Sequence, residues 1–284
     1  MRTVRTVAEL REALAPARRD GRSIGLVPTM GALHDGHLSL LRAAREQNDV
    51  VVLSLFVNPA QFAAGEDLER YPRDEDRDLS LAESVGTDLV YAPSVDEVYP
   101  EGFATTVEVS GLTDVLCGDP GRRGAEHFRG VTTVVAKLLN SAVPDRCYFG
   151  QKDAQQAIVI RRMARDLDFG AEIVVCPTIR EPDGLAMSSR NAYLDPEARE
   201  RAVALSRGLA AAADAAGDGA GAEDAIAAAR AELRAAGVEP EYLEARDAQD
   251  LTPAQSFNGR PVLVAVAARV GGARLIDNVI IGGP

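Results

Sequence analysis

The stretch SIGLVPTMGALHDGHLSLLRAAREQNDVVVLSLFV, residues 23–57, contains the pattern that decides the fold. Ser23–Pro28 is a short apolar run that predicts a buried strand, and Gly36–Gln47 carries leucines at helical spacing. Val50–Val57 is a second apolar run of strand length, as expected for a strand that is covered on both faces in a parallel sheet. The stretch therefore predicts a strand, a helix and a second, parallel strand.

The same alternation continues along the chain. Strand patterns at Asp88–Ala92, Arg146–Phe149 and Ile173–Cys176 alternate with helix patterns at Gly130–Ala142 and Ala154–Leu167. Strands joined by helices of this length form right-handed crossovers and an open, doubly wound sheet. We therefore predict an α/β fold with a Rossmann-like parallel sheet.

The composition changes near Pro177, and this change predicts a domain boundary. Residues 196–216 and 222–236 are rich in Ala and Arg with helical spacing, and three strand patterns follow them. We predict a Rossmann-like domain over residues 1–177 and a smaller C-terminal α+β domain over residues 178–284.

Composition and charge exclude several classes of protein. The 284 residues are 46% hydrophobic and 26% charged, which is typical of a globular chain. The 31 Lys and Arg against 43 Asp and Glu give a net charge of −12, which disfavours nucleic-acid phosphates and polybasic membrane attachment. No apolar run reaches the ~18 residues that span a bilayer, and the N-terminus lacks the apolar core of a signal peptide. The spacing of the cysteines fits no disulfide framework. We expect a cytoplasmic protein that binds neither nucleic acid nor membrane.

The segment PTMGALHDGHLSLL, residues 28–41, is the first candidate site. His34 and His37 lie three residues apart across Gly36, where the first strand ends and the helix begins. The unpaired N–H groups and dipole of a helix N-terminus favour an anion there, and Gly31 and Gly36 allow close approach of a ligand. Taken alone, the motif is equally consistent with an ordinary helix start. The chain has only three histidines, so two of them here favour a phosphate site.

The segment FVNPAQF, residues 56–62, follows the second strand directly. Its amides, Asn58 and Gln61, would lie at the carboxyl end of that strand, where they could orient a small substrate. An Asn-Pro turn that ends a strand is the alternative interpretation of this motif.

Two later segments carry cations and hydroxyl groups. FGQKDAQQ, residues 149–156, contains Lys152, one of two lysines in the chain and suited to ATP phosphates. DGLAMSSRNAYL, residues 183–194, groups two serines with Arg190, a combination that can bind phosphate oxygens. A solvated lysine and a generic interdomain loop are the alternatives, as is a basic surface loop for the segment GRRGAEHFRG at 121–130.

In order and spacing, five segments resemble the pantothenate synthetase (pantoate–β-alanine ligase) family: PTMGALHDGHLSL, FVNPAQF, HFRGV, FGQKDAQQ and GLAMSSRNAYL. The HxGH element alone would resemble only the wider nucleotidyltransferase superfamily. The resemblance implies ATP-dependent condensation of (R)-pantoate with β-alanine through an enzyme-bound pantoyl adenylate, which yields pantothenate, AMP and pyrophosphate. It further implies Mg²⁺ with the ATP, a homodimer, and a C-terminal domain that acts as a lid to exclude water.

The resemblance also implies roles for individual residues. His34, His37, Lys152 and Arg190 would be catalytic, with His37 the proton donor. The other ATP-binding positions would be Pro28, Thr29, Met30, Gly31, Gly36, Gly150, Gln151, Asp153, Ile179, Met187, Ser188 and Ser189. Pantoate and β-alanine would be bound by Asn58, Gln61, Arg123, His127 and Gln156. The Mg²⁺ ligands are unknown at this stage, because the acidic run Asp74, Asp76 and Asp78 is expected to form a solvated face.

One segment departs from the family pattern. The family has Arg-Pro-Gly immediately before its His-Phe pair, whereas the sequence from Cys117 reads CGDPGRRGAEHF, which is longer and lacks that proline. Either Arg122 or Arg123 could therefore take the place of the family arginine.

Two other functions fit part of the pattern. A nucleotidyltransferase acting on a phosphorylated small molecule would share HxGH, but it would need more cations and would not need both Gln61 and Gln156. A non-catalytic nucleotide-binding module would bind nucleotide without turnover. The joint presence of FVNPAQF and KDAQQ favours the ligase.

Overall fold

The computed structural model describes residues 1–62 and 68–282, and these residues form two compact units. The first unit comprises Met1–Asp114, Gly118–Gly150 and Val159–Pro177. The second unit comprises Val115–Cys117, Gln151–Ile158 and Thr178–Pro284. The second unit therefore takes two short segments that lie far upstream of residue 178 in the chain.

The first unit is built on a parallel sheet, as the sequence predicts. The sheet has six strands rather than the five that the apolar runs indicate, because Arg2–Val4 pairs with Leu89–Tyr91. Its strands are Arg2–Val4 (β1), Ile24–Thr29 (β2), Val50–Leu55 (β3), Leu89–Tyr91 (β4), Arg146–Gly150 (β5) and Glu172–Cys176 (β6). They lie in the order β1-β4-β3-β2-β5-β6. Since the chain runs outward from β2 in both directions, the switch point of this doubly wound sheet lies between β2 and β5. Ligands of such sheets bind beyond the carboxyl ends of the strands at that point.

Helices connect these strands. They are Val7–Arg19 (α1), Asp35–Gln47 (α2), Glu75–Ser84 (α3), Val95–Val98 (α4), Ala125–Ala142 (α5) and Ala154–Asp166 (α6). The predicted helix at Gly130–Ala142 begins one and a half turns earlier, at Ala125, so that His127 lies on the helix rather than in a loop before it.

The core of the sheet follows from the apolar runs of β2 and β3. Val27, Val51 and Leu53 are completely buried, as is Leu41 on the inner face of α2. Full burial of these side chains explains why the strands read as continuous apolar runs rather than as alternating patterns. Tyr148 of β5 is also buried, and Nδ2 of Asn48 donates to its hydroxyl at 2.7 Å near the amino-terminal edge of the sheet.

Among the described residues after 195, the second unit has three α-helices and a separate sheet, which confirms the predicted smaller α+β domain. The helices are Pro196–Ala202 (α7), Ala204–Gly217 (α8) and Ala222–Ala235 (α9). The antiparallel strands are Pro240–Asp247 (β7), Val262–Val270 (β8) and Ala273–Ile281 (β9), in that order. The helical spacing of residues 196–216 predicts one helix, and this prediction is wrong, because the chain forms two helices that meet at Val203.

Alanine forms much of the core of this unit. Ala202, Ala204, Ala212, Ala225 and Ala229 have no exposed surface, and they pack against β8 and β9. The small side chains let the helices approach one another closely, so the Ala-rich composition of residues 196–236 is a packing feature. In the part of the chain that the structure describes, no helix is both long and apolar enough to cross a membrane.

Candidate active site

Two of the three histidines, His34 and His37, lie side by side at the N-terminus of α2 in the first unit. His34 is the N-cap, and its Nδ1 accepts a hydrogen bond from the backbone N–H of Gly36 at 3.2 Å. Nδ1 of His37 accepts from the backbone N–H of His34 at 3.4 Å, and the ring centroids are 4.1 Å apart. Because each Nδ1 accepts, the proton of each neutral ring lies on Nε2. The pair therefore supplies two N–H donors at the positive end of a helix, as a phosphate site requires.

The carboxylate of Asp78 holds the loop before His34, and the prediction that this residue is exposed to solvent is wrong. Asp78 of α3 was expected on a solvated face, but it is only 1% exposed. Its Oδ2 accepts from the backbone N–H of Ala32 at 2.8 Å, and its Oδ1 accepts from that of Leu33 at 2.7 Å. Burial raises the pKa of Asp78, and these two hydrogen bonds oppose that rise. The sequence signal was the helical spacing of Asp78 and Ala82, the two buried residues of α3.

Backbone geometry explains why this loop contains glycine. Gly31 has φ +84° and Ala32 has φ +51°, so two consecutive residues adopt left-handed conformations. A Cβ on Gly31 would lie 2.9 Å from Oδ2 of Asp78. A side chain at position 31 would therefore strain the backbone and displace the carboxylate that holds the loop.

Asn58 and Gln61 form a hydrogen-bonded unit on the short helical turn after β3. Asn58 is 1% exposed, and its Nδ2 donates to Oε1 of Gln61 at 3.0 Å and to the carbonyl of Gly130 at 3.1 Å. Its Oδ1 accepts from the backbone N–H of Ala60 at 3.2 Å. Nε2 of Gln61 lies 3.0 Å from Sδ of Met30, so the turn reaches the loop that leads to the histidine pair.

His127 of α5 packs against the same turn. Its Nδ1 lies 2.7 Å from the carbonyl oxygen of Gln61, and since a carbonyl only accepts, Nδ1 carries the proton. Nε2 of the neutral ring then accepts from Nη1 of Arg123 at 3.2 Å. His127 thus bonds to the backbone that carries Gln61, and Arg123, one turn earlier on the chain, bonds to His127.

Gly130 allows the close packing of α5 on this turn. A Cβ at position 130 would lie 2.2 Å from the carbonyl oxygen of Ala60 and 2.7 Å from the backbone nitrogen of Gln61. No side chain fits at that distance, so Gly130 determines how near the helix comes to Gln61.

In the second unit, Lys152 lies on a rigid turn. The short helix Gln151–Asp153 is bound to β9 by Asn278, whose Nδ2 donates to the carbonyls of Gln151 and Lys152, each at 2.9 Å. Nε2 of Gln151 donates to Oδ1 of Asn278 at 2.8 Å. Nζ of Lys152 lies 3.6 Å from Oδ2 of Asp153, which orients the cation.

Gln155, which is not among the predicted site residues, joins this segment to the upstream part of the second unit. Its Oε1 accepts from the backbone N–H of Cys117 at 3.0 Å, and its Nε2 donates to the carbonyl of Val115 at 2.8 Å. Gln155 is buried, whereas Gln156 is half-buried. The two adjacent glutamines therefore differ in role, and Gln155 is structural.

The loop that contains the predicted serines and Arg190 is held by hydrogen bonds between its own residues. The backbone N–H of Met187 donates to the carbonyl of Ile179 at 2.9 Å, which brings together two of the residues predicted to bind ATP. Ser188 caps the short helix Ser189–Tyr193, and its Oγ accepts from the backbone N–H of Arg190 at 3.2 Å. The buried Asn191 donates to the carbonyl of Ala186 at 3.1 Å. These hydrogen bonds connect the two arms of the loop and cap its short helix.

The structure thus groups the predicted residues within each unit. In the first unit it brings together His34 with His37, Met30 with Asn58 and Gln61, and Arg123 with His127. In the second it brings together the residues 151–153 and, separately, Ile179 with the loop from Met187 to Arg190. Asp78, Gly130 and Gln155 are additional residues that support these groups, as is Tyr99, whose hydroxyl donates to Oδ1 of Asn58 at 2.8 Å.

Comparison with known proteins gives one consistent family. Residues 2–280 match the family model described as pantoate-beta-alanine ligase. A pantothenate synthetase of Moorella thermoacetica is 55% identical over 285 residues, with 99% of each chain covered. A pantothenate synthetase structure from Thermus thermophilus superposes with a TM-score of 0.93 at 49% identity, with both chains fully covered. A pantoate-beta-alanine ligase structure from Francisella tularensis, complexed with beta-gamma ATP and beta-alanine, has a TM-score of 0.80 at 32% identity over 99% of this chain and 97% of that one.

Proposed function

The chain belongs to the pantoate–β-alanine ligase family, and from this premise we propose that it condenses (R)-pantoate with β-alanine at the expense of ATP. The products are pantothenate, AMP and pyrophosphate, and the intermediate is an enzyme-bound pantoyl adenylate. The observation that carries the proposal is the family match over residues 2–280. Support also comes from the histidine pair at a helix N-terminus and from the Gln61 amide, both in the first unit.

In the first step, a carboxylate oxygen of pantoate attacks the α-phosphorus of ATP, and the bond to the pyrophosphate oxygen breaks. Negative charge increases on the phosphate oxygens during this in-line displacement. The Nε2–H groups of His34 and His37, with the N-terminus of α2, are suited to stabilise that charge without forming a covalent bond. Asp78 supports this step indirectly, because it holds the loop that leads to both rings.

Pantoate is bound in part by Gln61. The carboxamide nitrogen of Gln61 faces a thioether sulfur, which is a weak acceptor, and a carboxylate or hydroxyl oxygen of the substrate would accept more strongly. Asn58, His127 and Arg123 support this residue or add to the same substrate region. Gln156 of the second unit is proposed as a further pantoate ligand on the family resemblance.

In the second step, the amine of β-alanine attacks the acyl carbon of the adenylate. A C–N bond forms, the bond from that carbon to the phosphate oxygen of AMP breaks, and the attacking nitrogen loses one proton. The acyl adenylate is prone to hydrolysis, so exclusion of water protects it. The second unit is proposed to act as a lid for this reason.

The phosphates of ATP are also proposed to bind Lys152, Ser188, Ser189 and Arg190. Support comes from the fixed turn under Lys152 and from the closed loop that presents both serines with a guanidinium. Such a set can form several charge-assisted hydrogen bonds to one polyphosphate. Gly150, Asp153, Ile179 and Met187 are proposed for the adenosine part.

Mg²⁺ is proposed to enter with ATP. Among residues 1–62 and 68–282, no group of three or more His, Cys, Asp or Glu side chains is arranged to hold a metal ion. Mg²⁺ commonly keeps several waters and binds through substrate phosphates, so this chain fits an ion carried by the nucleotide. We further propose a cytoplasmic homodimer on the family resemblance, which sedimentation at several protein concentrations would check.

The test is ATP–pyrophosphate exchange in the absence of β-alanine. The adenylate mechanism requires label from pyrophosphate to enter ATP only when pantoate is present. Exchange that does not depend on pantoate, or no exchange above background, would contradict the mechanism. Incorporation with a phosphorylated acceptor in place of pantoate would instead support a nucleotidyltransferase.

A further inference from the structure

Tyr99 lies beside the predicted substrate residues of the first unit but belongs to no motif. It follows α4, and its ring packs against Phe103, with the centroids 5.2 Å apart, and against Phe56, at 6.3 Å. From this fixed position its hydroxyl donates to Oδ1 of Asn58 at 2.8 Å. Burial raises the pKa of Tyr99 to about 12, with the Asn58 bond opposing the rise, so the hydroxyl keeps its proton in neutral solution.

The amide of Asn58 has only one orientation that satisfies its neighbours. The carbonyl of Gly130 can only accept, so the atom beside it is Nδ2. The backbone N–H of Ala60 can only donate, so the atom beside it is Oδ1. The Tyr99 hydroxyl adds a second donor to Oδ1 and completes the hydrogen bonding of this buried amide.

The orientation of Asn58 determines that of Gln61. Nδ2 of Asn58 is a donor, so the atom of Gln61 that faces it must be the acceptor Oε1. Nε2 of Gln61 is then on the side of Met30. The first unit therefore presents a donor rather than an acceptor at this position, which selects for a substrate oxygen.

We propose that Tyr99 is a positioning residue for pantoate: through Asn58 it holds the carboxamide of Gln61 with Nε2 directed toward the substrate. This inference rests on the proposed function, because it takes Gln61 as a pantoate ligand. Tyr99 acts through two other side chains, so its hydroxyl should affect binding of the acid substrate and not binding of ATP.

The test compares Tyr99→Phe with the unchanged protein by steady-state kinetics and thermal unfolding. We expect the KM for pantoate to rise ~3- to 10-fold, the effect of losing one neutral hydrogen bond, while the KM for ATP stays the same. Tyr148→Phe is the matched control, because the hydroxyl of Tyr148 accepts from Asn48, which precedes β3, whereas Asn58 follows that strand. That control should leave the KM for pantoate unchanged.

A double-mutant cycle with Gln61→Ala tests the route of the effect. If Tyr99 acts through Gln61, Tyr99→Phe will not raise the KM for pantoate further once Gln61 is truncated. A full additional increase in that background would overturn the inference.

The remaining outcomes are also decisive. An unchanged KM for pantoate, an equal rise in both KM values, or a variant that does not fold would overturn the positioning role. If the unchanged protein shows no pantoate-dependent exchange, both the proposed function and this inference fail. If it shows exchange and only the Tyr99→Phe effect is missing, the proposed function stands and the inference alone is wrong.

Discussion

Asp78 accepts the backbone N–H of Leu33 at 2.7 Å, so a buried carboxylate on α3 holds the residue that precedes His34. The same carboxylate also accepts from Ala32. Two backbone donors in a strained loop are thereby satisfied by one side chain. The position of the histidine pair therefore depends on a residue of another helix.

Asp78→Asn should destabilise the protein and lower turnover. An amide offers one acceptor instead of two, so one buried N–H loses its partner at a cost of about 1–3 kcal/mol. Urea unfolding would measure this loss, and kcat would report displacement of the histidine pair. Asp76→Asn, an exposed change on the same helix, should leave both unchanged. Equal behaviour of the two variants would contradict the role of Asp78.

His37→Ala should reduce turnover at least ~10²-fold, because one donor to the charge that forms on the phosphates is lost. The melting temperature should change little, since the side chain is only half-buried. His37→Gln, whose amide also offers a donor, should retain more activity than the alanine variant. Full activity in His37→Ala would remove the role assigned to this imidazole.

Lys152→Ala should lower the rate by roughly 10²-fold if the ammonium group stabilises phosphate charge. Its stability should stay close to that of the unchanged protein, because the turn is held by Asn278 through backbone carbonyls. Lys152→Arg keeps the charge but changes its shape, so an intermediate rate is expected. A large fall in melting temperature for Lys152→Ala would indicate a structural role instead.

Gly130→Ala should be destabilising although alanine is the better helix former. The new Cβ would meet the carbonyl of Ala60 at 2.2 Å, and overpacking of this kind costs about 1–3 kcal/mol. Displacement of the turn should also raise the KM for pantoate. Gly217→Ala is the control, because a Cβ at the end of α8 meets nothing within 4 Å. If both glycines tolerate alanine equally well, the packing of α5 against Ala60 does not require glycine at position 130.

Tyr91 and Tyr99 should stay protonated at pH values at which an exposed tyrosine has already ionised. Burial raises the pKa of Tyr91 and of Tyr99 to about 12. In the unfolded chain these groups ionise near pH ~10, so between about pH 10 and 12 the folded state binds more protons and stability falls as pH rises. Burial also raises the pKa of Tyr148, so tyrosinate absorbance during alkaline titration should show Tyr91 and Tyr99 among the groups that ionise late. Tyr91→Phe and Tyr99→Phe should each remove one late-ionising tyrosine from that titration.

Much of the fold was readable from the sequence because its elements have local signals. The apolar runs of β2 and β3 and the leucines of α2 predict a strand, a helix and a strand without reference to the rest of the chain. His34 and His37 stand at the junction of the first strand and that helix, so their proximity follows from the helix start itself.

The supporting residues were not readable because their roles depend on distant contacts. Asp78 lies in a charged run, and only the packing of α3 shows that it is buried. Tyr99 and Gly130 lie 41 and 72 residues from Asn58, to which they bond. The sequence also left open Arg122 and Arg123, and the structure shows that Arg123 bonds to His127.

The interleaved composition of the second unit has a consequence for recombination between relatives. Asn278 bonds to the turn of Lys152, and Cys117 lies 3.1 Å from the hydroxyl of Tyr242, so three distant stretches of the gene encode one packed body. A crossover near codon 178 would combine residues 178–284 of one parent with residues 115–117 and 151–158 of the other. Chimeras should therefore tolerate junctions there only when both parents carry matching residues in all three stretches, and the C-terminal third should not behave as an exchangeable module.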